Sequence, residues 1–90
     1  MTGWTPLHEA AMRGWLEICR LIMDNVQEKN PASNSGNTPL HLAAGRGHTQ
    51  VCNLILDNVQ EKNPQNNNGK TPLDMARNAE IRSLINKYLE

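Results

Sequence analysis

Ninety residues suffice for one small domain, close to the size at which a single core becomes hard to stabilise. Nine basic side chains balance nine acidic ones, so no net field draws the chain to nucleic acid or an anionic membrane surface. No apolar run approaches the roughly 20 residues of a membrane span, and the N-terminus lacks a signal peptide's apolar segment. These totals point to a soluble intracellular protein, cytoplasmic with the nucleus left open, with neither nucleic acid nor membrane as partner. Trp4, Trp15 and Tyr88 are the only aromatic residues, so the core must be built from Leu, Ile, Val, Ala and Met.

Taken in order, the chain repeats itself. Gly3 and Thr5-Pro6-Leu7-His8 return 33 residues later as Gly36 and Thr38-Pro39-Leu40-His41, then as Gly69 and Thr71-Pro72-Leu73-Asp74. Residues 3–35 match residues 36–68 at 21 of 33 positions, and Asp24 to Pro31 recurs unchanged as Asp57 to Pro64. Each unit reads as two helices. Thr before Pro is a helix start, with Thr supplying an N-cap oxygen and Pro at N1 having no N–H to leave unpaired. In the second unit this predicts a helix from Pro39 to about Gly45, closed by Gly47 in the left-handed C′ conformation. Ala10 and Ala11, repeated as Ala43 and Ala44, allow close helix approach. A second helix is expected over about Thr49 to Asp57. Its Val51, Cys52, Leu54 and Ile55 form one apolar stripe, as do Ile18, Cys19, Leu21 and Ile22 in the first unit. One unit cannot enclose such a stripe, but a stack can.

Gly-x-Thr-Pro-Leu-His-x-Ala-Ala-x-x-Gly at this period resembles the ankyrin repeat, over essentially the whole chain. The resemblance implies an all-α solenoid of helix–turn–helix units with β-hairpin-like fingers. It divides residues 1–90 into units of about 1–33, 34–66 and 67–90. Three departures stand out. Where ankyrin units usually carry Gly-Ala-Asp-Val-Asn, Asn58 is expected to serve as a left-handed cap, with Val59 packing back onto a helix ended one residue early. The third unit is shorter through Arg77-Asn78-Ala79-Glu80, keeps an Ile81, Leu84, Ile85 stripe, and has the polar end of a C-terminal cap. The first finger is mostly missing, which suggests a fragment of a longer array.

Candidate chemistry is sparse. His8 and His41 stand at N3, where the resemblance implies structural hydrogen bonds between neighbouring turns. His48 is read as structural too. Asp74 replaces the histidine where a carboxylate suits the helix N-terminus. Asp57, Glu61 and Lys62, duplicated as Asp24, Glu28 and Lys29, read as a solvated connector, since a catalytic centre is rarely built twice on a loop. Cys19 and Cys52 lie at one position of stacked units, about 8–10 Å apart, beyond the roughly 7 Å a disulfide allows. Both are expected free and buried. No phosphate loop, metal spacing or activated nucleophile is present, so the reading includes no catalytic residue, metal or cofactor.

The function implied is binding of another protein, because ankyrin partners usually sit on the concave face of fingers and first helices. Positions that differ between units mark candidate contacts, Trp4, Asn37 and Lys70 on the finger and Met12 at the end of the first helix, beside which stand Arg13 and Arg46, with Arg77 extending the row. Trp and Arg are enriched at binding hot spots. An Arg13–Arg46–Lys70–Arg77 row would favour an acidic partner segment. The alternative is a purely structural or self-associating segment of a longer array, with Trp4, Met12, Trp15 and Leu16 as the uncovered apolar surface.

Overall fold

The computed structural model describes residues 3–90, which form α1 (Pro6–Arg13), α2 (Leu16–Asn25), α3 (Pro39–Arg46), α4 (Thr49–Asn58), α5 (Pro72–Met75) and α6 (Ala79–Leu89). α1, α3 and α5 pack in one row, and α2, α4 and α6 in a second. Each first helix starts at its Thr. Thr5, Thr38 and Thr71 are extended and accept the N–H of His8, His41 and Asp74, whose side chains in turn accept the threonine N–H. This reciprocal box satisfies two otherwise orphaned donors, and each cap contributes about 1 kcal/mol. Gly47 closes α3 at φ +80°, donating to the Ala44 carbonyl (3.3 Å) while His48 N–H donates to that of Ala43 (2.9 Å). A residue with a Cβ would be strained there.

The core runs between the rows: Leu7, Ala10, Ala11, Cys19, Met23, Leu40, Ala43, Ala44, Val51, Cys52, Ile55, Leu56, Ile81 and Ile85 are buried. Both cysteines are free within it. No helix of the described residues is long and apolar enough to cross a membrane.

Two expectations change. Asn58 is not left-handed, since among the described residues only glycines have positive φ. It is the last residue of α4, its Nδ2 donating to the Leu54 carbonyl (2.8 Å), and Asn25 does the same with Leu21 (2.7 Å). Lys62 then closes α4 from beyond its end, its Nζ donating to the Leu56 carbonyl (2.7 Å) and to that of Val59. Lys29 does likewise with Val26 (2.7 Å) and Met23. An ammonium group therefore satisfies carbonyls that a glycine cap would otherwise serve. Val59 is buried in the core, as expected.

The first-unit stripe is the second change: only Cys19 and Met23 of α2 are buried. Ile18 is 45% exposed against 2% for its counterpart Val51, and Val26 38% against 8% for Val59. Of the residues expected to be uncovered, Trp4 and Trp15 are, whereas Met12 and Leu16 are half-buried. Leu21, Ile18 and Val26 supply the exposed apolar surface in their place. The third unit is shortened as expected: α5 is a single turn, and Asn78 starts α6, its Oδ1 accepting the Ile81 N–H (2.9 Å).

The fingers are hairpin-like turns, as the resemblance implies: Ser33 N–H donates to the Asn37 carbonyl (2.9 Å) and Asn66 N–H to that of Lys70 (2.8 Å). They bond to each other, Asn67 N–H donating to the Ser35 carbonyl (2.9 Å) and Asn67 Nδ2 to that of Asn34 (2.8 Å).

Candidate protein-binding surface

The side chains that join one unit to the next decide which positions remain available to a partner. Thr5 N–H points at Nδ1 of His8 (3.1 Å); an N–H can only donate, so Nδ1 is the unprotonated nitrogen. Nε2–H therefore donates across to the Asn37 carbonyl (2.8 Å). His41 repeats the arrangement with Thr38 and the Lys70 carbonyl (2.9 Å). Burial holds both imidazoles below the ordinary histidine range, against the opposing pull of these backbone carbonyls. His48 bridges units differently. Its Nε2 donates to the Met12 carbonyl (3.0 Å), and its ring lies where a Cβ on Gly14 would come within 2.5 Å. All three histidines are structural ties, as expected.

Asn37 is committed in the same way. Its carbonyl takes the bonds of His8 and Ser33, and its Oδ1 accepts from Asn66 Nδ2 (2.9 Å). It holds the finger layer together and offers a partner little. Met12, half-buried, lends its carbonyl to His48.

The remaining candidates are exposed. Trp4 stacks on the His8 ring (centroids 5.0 Å apart) and donates Nε1–H to Glu9 Oε1 (3.0 Å). Arg13 pairs with the other Glu9 oxygen and lies 5.5 Å over the Trp15 ring. The Arg13 guanidinium, then the Trp4 indole, hold the Glu9 carboxyl below its usual range. Trp4, Glu9, Arg13 and Trp15 thus form one exposed network on the first unit. Glu9 and Trp15 were not among the candidates; Glu9 is a signal of sorts, four residues before Arg13 and aligned with Leu42.

The expected Arg13–Arg46–Lys70–Arg77 row divides. Arg13 and Arg46 lie in the last turns of adjacent helices, and Arg77 packs its Cδ against Gly47, the residue after Arg46, while its N–H donates to the Ala44 carbonyl (3.0 Å). Trp4, Asn37 and Lys70 stand instead just before the threonine caps, at the opposite ends of the first helices. An eight-residue helix separates the two groups by about 12 Å.

Among the described residues no group of His, Cys, Asp or Glu is arranged to hold a metal. Burial pushes the Cys52 thiol up to about 12 and raises that of Cys19, so neither is poised as a thiolate nucleophile.

A family model described as ankyrin repeats (3 copies) matches residues 1–66 and, overlapping, 28–88. The chain belongs to the ankyrin repeat family. No curated protein matches it. Ankyrin repeats are generally protein-interaction modules, and the units here follow that plan: the threonine boxes, histidine bridges and core are framework. Side chains that differ between the first two units lie on both rows: Trp4/Asn37, Glu9/Leu42 and Met12/Gly45 on the fingers and first helices, and Glu17/Gln50, Ile18/Val51 and Arg20/Asn53 on the second helices.

Proposed function

We propose that the chain binds another protein through its fingers and first helices, in a binding rather than a catalytic role. The observation that carries this is the division of these elements into buried framework and exposed surface. Leu7/Leu40, His8/His41 and the paired alanines of the first helices are buried. Trp4, Arg13, Arg46, Lys70 and Arg77 are exposed on the same elements. Arg46 makes no hydrogen bond or ion pair through its side chain among the described residues, so it keeps its donors for a partner. Arg13, Arg46 and Arg77 at one end and Lys70 at the other favour acidic segments. Changing Arg13, Arg46 and Lys70 together to Glu weakens capture of an acidic partner while leaving the melting temperature nearly unchanged. Intact affinity in that variant, with loss on changing exposed α4 residues such as Asn53, would sink the reading.

A second reading is favoured by the first-unit end. Pro6, Leu7, Leu21, Ile22, Val26 and Pro31 line an open apolar depression of about 720 Å³. We infer that a second copy covers it, since the far end offers mainly the polar Arg82, Ser83 and Asn86, with Leu89 its one large exposed aliphatic, and so gives little apolar match for head-to-tail stacking. Sedimentation over a concentration range detects the dimer, and Leu21→Glu abolishes it. A monomer at every concentration refutes it.

A further inference from the structure

Asn followed by Gly is chemically distinctive, because the glycine nitrogen has no adjacent side chain to hinder its approach to the asparagine's own side-chain carbonyl. The chain holds one such pair, Asn68-Gly69, at the tip of the third finger. The three consecutive asparagines there are held very differently. Asn66 Oδ1 accepts the N–H groups of Asn68 (2.9 Å) and Lys70 (3.0 Å), and its Nδ2 is bound to Asn37. Asn67 Nδ2 is bound to the Asn34 carbonyl. The Asn68 side chain is exposed and makes no hydrogen bond among the described residues.

The glycine is equally open. A Cβ on Gly3 or Gly36 would meet Asn34 or Asn67 of the following finger within about 3 Å, whereas a Cβ on Gly69 would meet nothing within 4 Å. One restraint opposes reaction: Gly69 N–H donates to the Asn66 carbonyl (2.9 Å), and that turn bond must open first. It lies at an exposed loop tip, where local opening is cheap.

We propose that Asn68 is a site of spontaneous intramolecular deamidation. The Gly69 nitrogen gives up its proton and bonds to Asn68 Cγ, the side-chain amide nitrogen leaves as ammonia, and a five-membered succinimide closes. Water then opens one of the two imide C–N bonds, leaving aspartate or, with the chain rerouted through the former side chain, isoaspartate. One water is taken up and one ammonia released, with no oxidant or reductant. The new carboxylate stands two residues before Lys70. Isoaspartate also lengthens the backbone inside the turn closed by Asn66 and Lys70. If the finger binds as proposed above, and this consequence rests on that reading, ageing lowers affinity for an acidic partner.

The test is incubation of the whole chain at mildly alkaline pH, folded and in urea, followed by peptide mapping that separates aspartate from isoaspartate. The expected result is conversion at position 68 in both samples, slower in the folded one, with Asn34, Asn66 and Asn67 intact in the folded chain. Asn68→Gln stops it, and Gly69→Ala slows it by on the order of tenfold, a barrier difference of about 1.4 kcal/mol. A folded chain that stays unconverted while the unfolded chain converts fully overturns the proposal. So does conversion of Asn66 or Asn67 in the folded chain as fast as Asn68. Affinity for an acidic partner is measured separately on the aged protein, so loss of the binding reading leaves the chemical result standing.

Discussion

Leu21 and Leu54, Ile22 and Ile55, and Val26 and Val59 are the same residues at matching positions of the first two units. In the second unit Ile55 and Val59 are buried and Leu54 is half-buried; in the first, Leu21 and Val26 are exposed and Ile22 is only half-buried. Local sequence does not account for the difference, because the residues are identical. The second unit has the first packed over this face, and no described residue covers it in the first. Apolar burial, worth roughly 25 cal/mol per Å², is therefore a property of the neighbour as much as of the residue.

The comparison is tested most strongly by truncating the shared isoleucine. Ile55→Ala leaves a cavity in a closed core and costs about 2–5 kcal/mol, read from urea unfolding midpoints. Ile22→Ala costs distinctly less. Equal losses would show that the first-unit face is covered in solution, which the sedimentation experiment would then have to detect.

A second contrast lies in pH. His8 and His41 are held neutral by burial, with folded values below their unfolded ones. Below the ordinary histidine value of about 6.5 the unfolded chain therefore binds more protons. Stability is full above that value and declines as pH falls through the lower folded values. In the third unit Asp74 takes the histidine's place, and the Thr71 N–H and hydroxyl hold its carboxyl low. Its contribution persists through the histidine window and is lost only as pH falls through its own depressed value. Hydrogen exchange at pH 5 should accordingly show the first two units loosening before the third. Uniform loosening would count against the histidine ties as the cause.

The smallest effect concerns the connector asparagines. Asn63 Oδ1 accepts the Leu73 N–H (3.2 Å), while the matching Asn30 Oδ1 is buried without a partner. Asn63→Ala costs about 1 kcal/mol in chemical denaturation, and Asn30→Ala close to nothing. The reverse order would mean that the two connectors do not differ in this way.

Much of the framework was legible beforehand because its signals are local and chemically unambiguous. A threonine before proline supplies a cap, aliphatics at helical spacing mark an apolar face, and a 33-residue period shows that the units stack. The connector was less legible. Asn58 and Lys62 have the composition of a solvated loop, and which carbonyl an amide or ammonium reaches depends on how the chain turns after α4. The candidate surface was legible as a set of positions but not as a geometry. Asn37 belongs to the finger ladder, Lys70 stands apart from the arginines, and Glu9 with Trp15 completes a network that needed three-dimensional neighbours to be seen.

By itself the sequence determined where the first helix of each unit begins, which side chains are apolar, and that the same unit is made again. Those follow from capping, periodicity and identity, all of which act within a few residues or by direct comparison. Only the tertiary structure decided which copy of an identical stripe is buried, which histidine nitrogen reaches which carbonyl, and which of three adjacent asparagines is left free. Each of those depends on a contact between units about 33 residues apart, and the energy of such a contact resides in neither partner alone.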